Sequence, residues 1–278
     1  MYPNAYSLSD TLFNLLRDLI LEQTGLLFRD DDRELFVAKL SARLIELGLT
    51  SFLDYYYLLK YDTSLQTEWG SLMDLLTTRE SFFWREPAQI NAFVNQILPE
   101  IAAAAPNTSL RIWSAACSTG EEPLSLALAL QEAGWFERLS IQIMASDISQ
   151  QAINKAKTGL YHERSLRHLP HALRTKYFLQ ENKGWRVVPQ IHNRITWHVA
   201  NLLDETSPVW QQQTTAIFCR NVFIYFSAAA IQTTIQRFYQ QLSTPGYLFV
   251  GVTEPLIRYT HNFKLQEIGN SFVYVKSA

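Results

Sequence analysis

Four stretches of this chain place side chains that could do chemistry just beyond runs of apolar residues. Ser114-Ala115-Ala116-Cys117-Ser118-Thr119-Gly120-Glu121-Glu122-Pro123 opens a helical pattern, and its small side chains let a ligand approach backbone N–H groups closely. Two glutamates in the first helical turn would repel a phosphate. The loop also lacks both the G-x-G-x-x-G and the G-x-x-x-x-G-K-[ST] patterns, so the expected ligand is neutral or cationic at that end. For either glutamate alone, favourable charge at a helix N-terminus, worth about 0.3 to 1 kcal/mol, is an open alternative. Ser146-Asp147 offers a carboxylate suited to both hydroxyls of a ribose, or to the N-cap of a helix beginning near Ser149. Asn201-Leu202 offers an amide and an apolar face for an adenine, or a loop cap. Cys219-Arg220-Asn221, with Tyr225 four residues on, closes the set. A small loop, a ribose acid, an adenine-sized slot and a carboxylate facing a cation describe S-adenosylmethionine better than a dinucleotide.

These residues need a scaffold that brings strand ends together. After Pro106, apolar runs at 110–115, 141–145, 195–199, 214–219 and 246–252 alternate with helix-like segments at 123–134, 149–159 and 227–242. That alternation predicts a mostly parallel sheet with helices on both faces, which binds ligands beyond the carboxyl ends of its strands. Within about 177–194, Gly184-Trp185-Arg186-Val187-Val188 followed by Gln190-Ile191-His192 is expected to form a short inserted hairpin, and 263–276 can supply a closing antiparallel pair. Before residue 77 the period is helical: Leu8, Leu12, Leu15 and Leu19; Leu35, Phe36, Leu40, Leu44 and Leu47 up to Gly48; Phe52, Tyr55, Leu58 and Leu59 after a capping Ser51; then Leu65, Trp69, Leu72 and Leu76. Residues 1–85 carry 8 basic and 13 acidic residues against 16 and 13 in the remainder, which places a boundary near residue 85.

Composition limits the function classes. With 47% hydrophobic and 18% charged residues, the chain is expected to fold as a globular protein. Its 24 Lys+Arg against 26 Asp+Glu give no reason to expect nucleic acid or an anionic membrane as partner. Two distant cysteines, without neighbours at ligand spacing, argue against a disulfide framework and a metal site and favour a cytoplasmic setting. Neither a secretory leader nor a membrane span is expected.

The stretches TTRESFFWREP (77–87), IWSAACSTGEEPLSLAL (112–128), ASDIS (145–149), NLLD (201–204) and FCRNVFIYF (218–226) resemble, in order and spacing, the CheR-type chemoreceptor glutamate methyltransferases. The resemblance runs along nearly the whole chain. It implies a Rossmann-like S-adenosylmethionine-dependent methyltransferase sheet with a small inserted antiparallel β-subdomain, preceded by an all-α domain that docks receptors. The acceptors it implies are glutamates on the cytoplasmic helical domain of chemoreceptors, converted to methyl esters. Arg85 and Tyr225 match the residues placed beside the transferred methyl. Ser81, Arg85, Glu122, Asp147, Asn201, Leu202, Cys219, Arg220 and Asn221 match cofactor-binding positions, and Arg79 and Ala115 complete that set. The family commonly has Asn where this chain has Arg79, and often Phe in place of Trp84.

Without the resemblance, Phe82, Phe83 and Trp84 read as a hydrophobic seam, Arg85 as an ion pair to Glu80 or Glu86, and Tyr225 as a half-buried core tyrosine. A glutamate acceptor, with a pKa near 4.3, is already ionised at neutral pH, which accounts for the lack of an evident His or Cys nucleophile. Arg33, Lys39 and Arg43 form a possible basic stripe on the second helix, or an ordinary solvated face. The alternatives are a cofactor-binding signalling module without transferase activity and a methyltransferase with another acceptor. A nucleic-acid acceptor is disfavoured because CRNV stands where a [DN]-P-P-[YF] segment would be.

Overall fold

The computed structural model describes residues 8–62, 66–77, 80–106 and 108–277. Its first part is helical: α1 (Asp10–Thr24), α2 (Arg33–Leu47), α3 (Phe52–Tyr61) and α4 (Gln66–Leu76). Ser9 and Ser51 cap α1 and α3 with their hydroxyls, and Gly25 and Gly48 end α1 and α2 in the left-handed conformation. The buried face of α1 is Phe13, Leu16 and Ile20, one position on from the expected Leu12, Leu15 and Leu19; Leu15 is exposed. Both registers repeat at helical spacing, and the aromatic packing of Phe13 edge-on to Phe36 (5.3 Å) fixes which one faces inward. Leu65 lies outside the described residues.

The expected basic stripe on α2 does not form. Arg43 Nε donates to Glu68 Oε1 (3.0 Å), and Glu68, buried between helices, also accepts from the Tyr55 hydroxyl (2.7 Å). Arg33 is paired with Asp10 (2.6 Å), and Lys39 Nζ donates to the Leu76 carbonyl (3.1 Å). Arg33 and Arg43 are engaged within the helical domain, because carboxylates of the neighbouring helices lie within their reach, while Lys39 lines the cleft described below.

The remainder begins with α5 (Pro87–Ala92), which passes through a π turn into α6 (Leu98–Ala104). It continues with β1 (Ser109–Ala115), α7 (Glu121–Glu132), α8 (Trp135–Arg138), β2 (Ser140–Asp147), α9 (Gln150–Thr158) and β3 (Leu160–Tyr161). Then come α10 (His171–Tyr177), β4 (Phe178–Glu181), β5 (Gly184–Val187), α11 (Pro189–His192), β6 (Ile195–Val199) and β7 (Thr214–Cys219). The last elements are α12 (Ala228–Gln241), β8 (Leu242–Val250), β9 (Lys264–Ile268) and β10 (Ser271–Lys276).

Seven strands form one sheet in the order β6-β2-β1-β7-β8-β10-β9; the first five are parallel, and β10 runs antiparallel to both of its neighbours, β8 and β9. The chain starts in the middle at β1, moves outward to β2 and β6, then returns to β7 and moves out the other way. The loops after β1 and β7 therefore diverge and open a crevice at the carboxyl ends of the strands. One face of the sheet packs on α5 and α7, the other on α12, where Trp113 meets Trp210 and Phe238 edge-on. The expected hairpin is half right: β5 forms at 184–187, but Gln190-Ile191-His192 belongs to α11, which Pro189 opens, and β5 pairs instead with β4 and with a third strand, β3. Two residues carry too little period to announce a strand.

The helical domain is fastened over the crevice by backbone hydrogen bonds. Leu26 bridges Phe226, Leu27 N donates to the Tyr225 carbonyl (2.9 Å), and Ser227 N donates to the Gly25 carbonyl (3.0 Å). Gly25 is needed there twice over: its φ is +78°, and a Cβ would lie 2.8 Å from Ala230 Cβ. Asp74 accepts from Ser149 Oγ and, at 3.1 Å, from Gln151 N at the start of α9. None of the helices of the described residues is long and apolar enough to cross a membrane.

Candidate active site

A cleft of about 440 Å³ lies between the strand ends and the helical domain. That volume suits a small-molecule ligand. Its floor comes from the loops after β1, β2, β6 and β7, its far wall from residues 80–85, and its roof from Leu26, Leu27 and Phe28 between α1 and α2. Of the residues singled out by sequence, Ser81, Arg85, Glu122 and Asp147 line it. So do Asn201, Leu202, Arg220, Asn221 and Tyr225. Ala115 and Cys219 are buried at the ends of β1 and β7, behind the lining residues Ala116 and Arg220. Arg79 lies outside the described residues.

Backbone strain is concentrated here. The five non-glycine residues with positive φ among those described are Trp84, Glu86, Ala116, Ser118 and Asn221, which flank Arg85 or stand in the loops after β1 and β7. Such conformations cost about 1 kcal/mol or more each and persist only where neighbours fix them. The fixing bonds are visible. Trp84 N donates to Ser125 Oγ (3.0 Å), Ser118 N to Asp147 Oδ2 (2.8 Å), and Cys117 N to the Ser146 carbonyl (2.8 Å). Asn221 N donates to Glu254 Oε2 (2.7 Å), and Arg220 Nη2 to the Arg85 carbonyl (2.6 Å).

The two glutamates of the first loop separate. Glu121 is buried outside the cleft, accepting from Thr119 Oγ1 (2.7 Å) and Ser165 Oγ (3.1 Å), and is a structural residue. Glu122 faces the cleft. It accepts from Ser114 Oγ (2.7 Å) and lies 3.5 Å from Arg220 Nε, which is equally distant from Glu86. Burial raises the Glu122 carboxyl above its usual range, against the pull of Arg220 and the Ser114 hydroxyl. Among the described residues, buried Ser118 Oγ has no hydrogen-bond partner, and Arg220 Nε and Glu86 Oε2 meet only as an ion pair at 3.5 Å. A cleft with a buried carboxylate and a polar atom left without a partner suits a ligand carrying an amino group and other polar groups.

Asp147 accepts two backbone amides, from Ser118 and from Ser149 (2.9 Å), while Ser149 itself caps α9 through its hydroxyl. The side-chain amide of Asn201 is engaged at both ends: Oδ1 accepts from Leu203 N (3.0 Å) and Nδ2 donates to the Gln23 carbonyl (2.7 Å). The loop-capping reading therefore describes that amide. Arg85 forms no ion pair among the described residues; its Nη1 donates to the Glu80 carbonyl (3.2 Å) and its guanidinium lies 5.3 Å from the Phe82 ring. Phe83 is fully buried against Tyr161 and Phe178, so the aromatic triplet is in part a hydrophobic seam. Tyr225 sits in a 3-10 turn, 42% exposed, and its hydroxyl makes no hydrogen bond among the described residues.

Glu254 escaped the sequence reading. Its buried carboxylate accepts from the backbone nitrogens of Asn221, Gly251 (2.8 Å) and Ile224 (3.2 Å), tying the turn after β8 to the loop that carries Tyr225. Applying the strand-end rule to the fifth strand as well as the first four would have found it.

A largely parallel sheet reversing at β1/β7, with this cleft at the reversal, defines an α/β protein that binds a small molecule at its switch point. Two family models match: "CheR methyltransferase, SAM binding domain" over residues 79–272 and "CheR methyltransferase, all-alpha domain" over residues 11–77. The chain belongs to the CheR methyltransferase family. It is 32% identical to Chemotaxis protein methyltransferase 2 of Vibrio cholerae, over 98% of this chain and 95% of that protein. It is also 32% identical to the Chemotaxis protein methyltransferase of Escherichia coli K12, over 94% and 90%. To that of Klebsiella aerogenes it is 34% identical, over 93% and 88%.

Proposed function

We propose that this enzyme methylates glutamate side chains on the cytoplasmic helical domain of chemoreceptors, giving glutamate methyl esters, and that it works in the cytoplasm. The observation that carries this reading is the chemistry of the cleft wall. Among the described lining residues there is no histidine, and burial pushes the one thiol, Cys117, well up and out of nucleophilic use. Of the lining carboxylates, Glu122 already accepts from the Ser114 hydroxyl and Asp147 from the amides of Ser118 and Ser149, and an acceptor that is already an anion requires no base.

When bound, S-adenosylmethionine supplies a methyl group on a positively charged sulfur. The residues of this chain hold and align. Glu122 would hold the amino group of the cofactor, Asp147 its ribose, and Asn201 and Leu202 would supply the wall for its adenine. Arg85, lightly tied to the Glu80 carbonyl, orients a carboxylate, and the Tyr225 hydroxyl is available to donate a hydrogen bond near the transferring group. Orientation of this kind is worth up to roughly 7 to 11 kcal/mol in small-molecule analogues. Charge is lost as anion and sulfonium meet, so tight binding of either ground-state charge would slow the step. In this reading residues 1–85 form the helical roof and 86–278 the methyltransferase domain with its inserted β-subdomain.

The test is transfer of label from methyl-labelled donor into a chemoreceptor fragment, with release of methanol by mild base. Arg85→Ala and Tyr225→Phe are expected to lower turnover by about tenfold or more, with Tyr225→Phe sparing S-adenosylhomocysteine affinity. Unchanged turnover in both variants would refute the assignment.

A further inference from the structure

On α2, Arg33 and Arg43 are paired with acids of the helical domain, and a second group of cations lies on the other side of the cleft. The segment between β3 and α10 reads His162-Glu163-Arg164-Ser165-Leu166-Arg167-His168. Its one acid, Glu163, is taken by Arg174. Arg164 is exposed and has no carboxylate partner among the described residues. Arg167 reaches Glu80 only at 3.7 Å; its guanidinium lies 3.9 Å from the centre of the Phe82 ring, and the His168 ring packs on the same phenylalanine at 4.9 Å. Phe82 is a wall of the cleft and also carries Arg85.

A row of positive groups thus continues from Arg85 inside the cleft, across Phe82, to Arg167 and Arg164 outside. The segment is rigidly placed, because Phe83 N donates to the Ser165 carbonyl (2.9 Å) and Arg167 Nη1 to the Arg164 carbonyl (2.9 Å). The opposite side is mixed in sign: Asp32 and Lys39 both line the cleft there, and Asp30 is paired with Arg17.

We infer that the rim formed by Arg164, Arg167 and His168 is the docking surface for the acidic, glutamate-bearing helix whose side chain is methylated. Guanidinium groups suit it, since they pair with carboxylates through two parallel hydrogen bonds while stacking on aromatic rings. The inference rests on the acceptor class given under Proposed function.

The experiment measures both binding and turnover with an acidic chemoreceptor cytoplasmic fragment, for the wild type, R164E/R167E, the milder R164Q/R167Q, and K264E on the outer strand β9 as a control for net charge. Charge reversal is expected to weaken fragment binding and raise KM about tenfold, to leave kcat and S-adenosylhomocysteine affinity within about twofold, and to flatten the fall of kcat/KM with ionic strength. The glutamine pair should show a smaller change in the same direction. Unchanged binding and salt dependence, an equal effect from K264E, absence of salt-sensitive binding by the wild type, or tighter binding of a single-stranded oligonucleotide than of the fragment would each overturn the rim. If the wild type binds the fragment through these arginines yet transfers no methyl group, the surface stands and the acceptor chemistry falls.

Discussion

The Glu254 carboxylate lies 2.7 Å from the backbone nitrogen of Asn221, joining the turn after β8 to the loop after β7. Through that bond, and a second one to Ile224 N, a buried acid holds the strained Asn221 and sets the position of Tyr225. Gly251 completes the arrangement, since a Cβ there would come within 2.6 Å of Glu254 Oε2.

Glu254→Gln puts an amide N–H₂ where backbone donors now find oxygen. Turnover is expected to fall about ten- to a hundredfold, as a misplacement of about 1 Å costs. Because Glu254 acts through Tyr225, the loss should largely vanish in a Tyr225→Phe background. Additive losses in that double-mutant cycle would contradict the positioning role.

Asp147→Ala strands the amides of Ser118 and Ser149 as well as removing the expected ribose contact. We expect weaker S-adenosylhomocysteine binding by calorimetry, together with a loss of stability of about 1 to 3 kcal/mol from the unsatisfied donors. Asp147→Asn, which keeps one acceptor oxygen, should recover part of the stability.

The raised Glu122 carboxyl gives a pH signature. Burial is the main cause, so in the ligand-free fold the group takes up a proton at a higher pH than an exposed glutamate does. The unfolded chain releases that proton first. The folded state is therefore relatively favoured while Glu122 is protonated, and loses that advantage as pH rises through the folded pKa. An ammonium group of the cofactor prefers the ionised carboxylate, so S-adenosylhomocysteine affinity should fall as pH drops through that range. In Glu122→Gln the slope should disappear, and a persisting slope would assign it elsewhere.

Removing Glu68 leaves Arg43 and the Tyr55 hydroxyl without their buried acceptor. Glu68→Ala is expected to destabilise the helical domain by about 3 kcal/mol in denaturant unfolding, the cost of breaking a buried pair from one side. Burial, with the neighbouring Glu68, also pushes the Tyr55 hydroxyl far above its usual range. Its contribution is fully present below about pH 10, the ordinary tyrosine pKa, and is lost only in more alkaline solution.

The sequence by itself determined the alternation of strands and helices, the helical start, the cap at Ser51, and which strand ends carry polar side chains; the cap of α9 fell to Ser149 and not to the expected Asp147. These are local properties: period, β-branching and cap chemistry act within a few residues. Tertiary structure decided what each polar group does once distant segments meet. The sequence leaves Glu121 and Glu122 indistinguishable, yet one faces Ser165 and the other the cleft. Asn201 is turned to Gln23, Arg43 to Glu68, and Glu254 to Asn221 by pairings that span 178, 25 and 33 residues. Such bonds depend on where the chain returns in space, which no period records. For that reason Arg33 and Arg43 of the stripe legible on α2 are held by Asp10 and Glu68, while an unremarked stretch after β3 came to rest against Phe82.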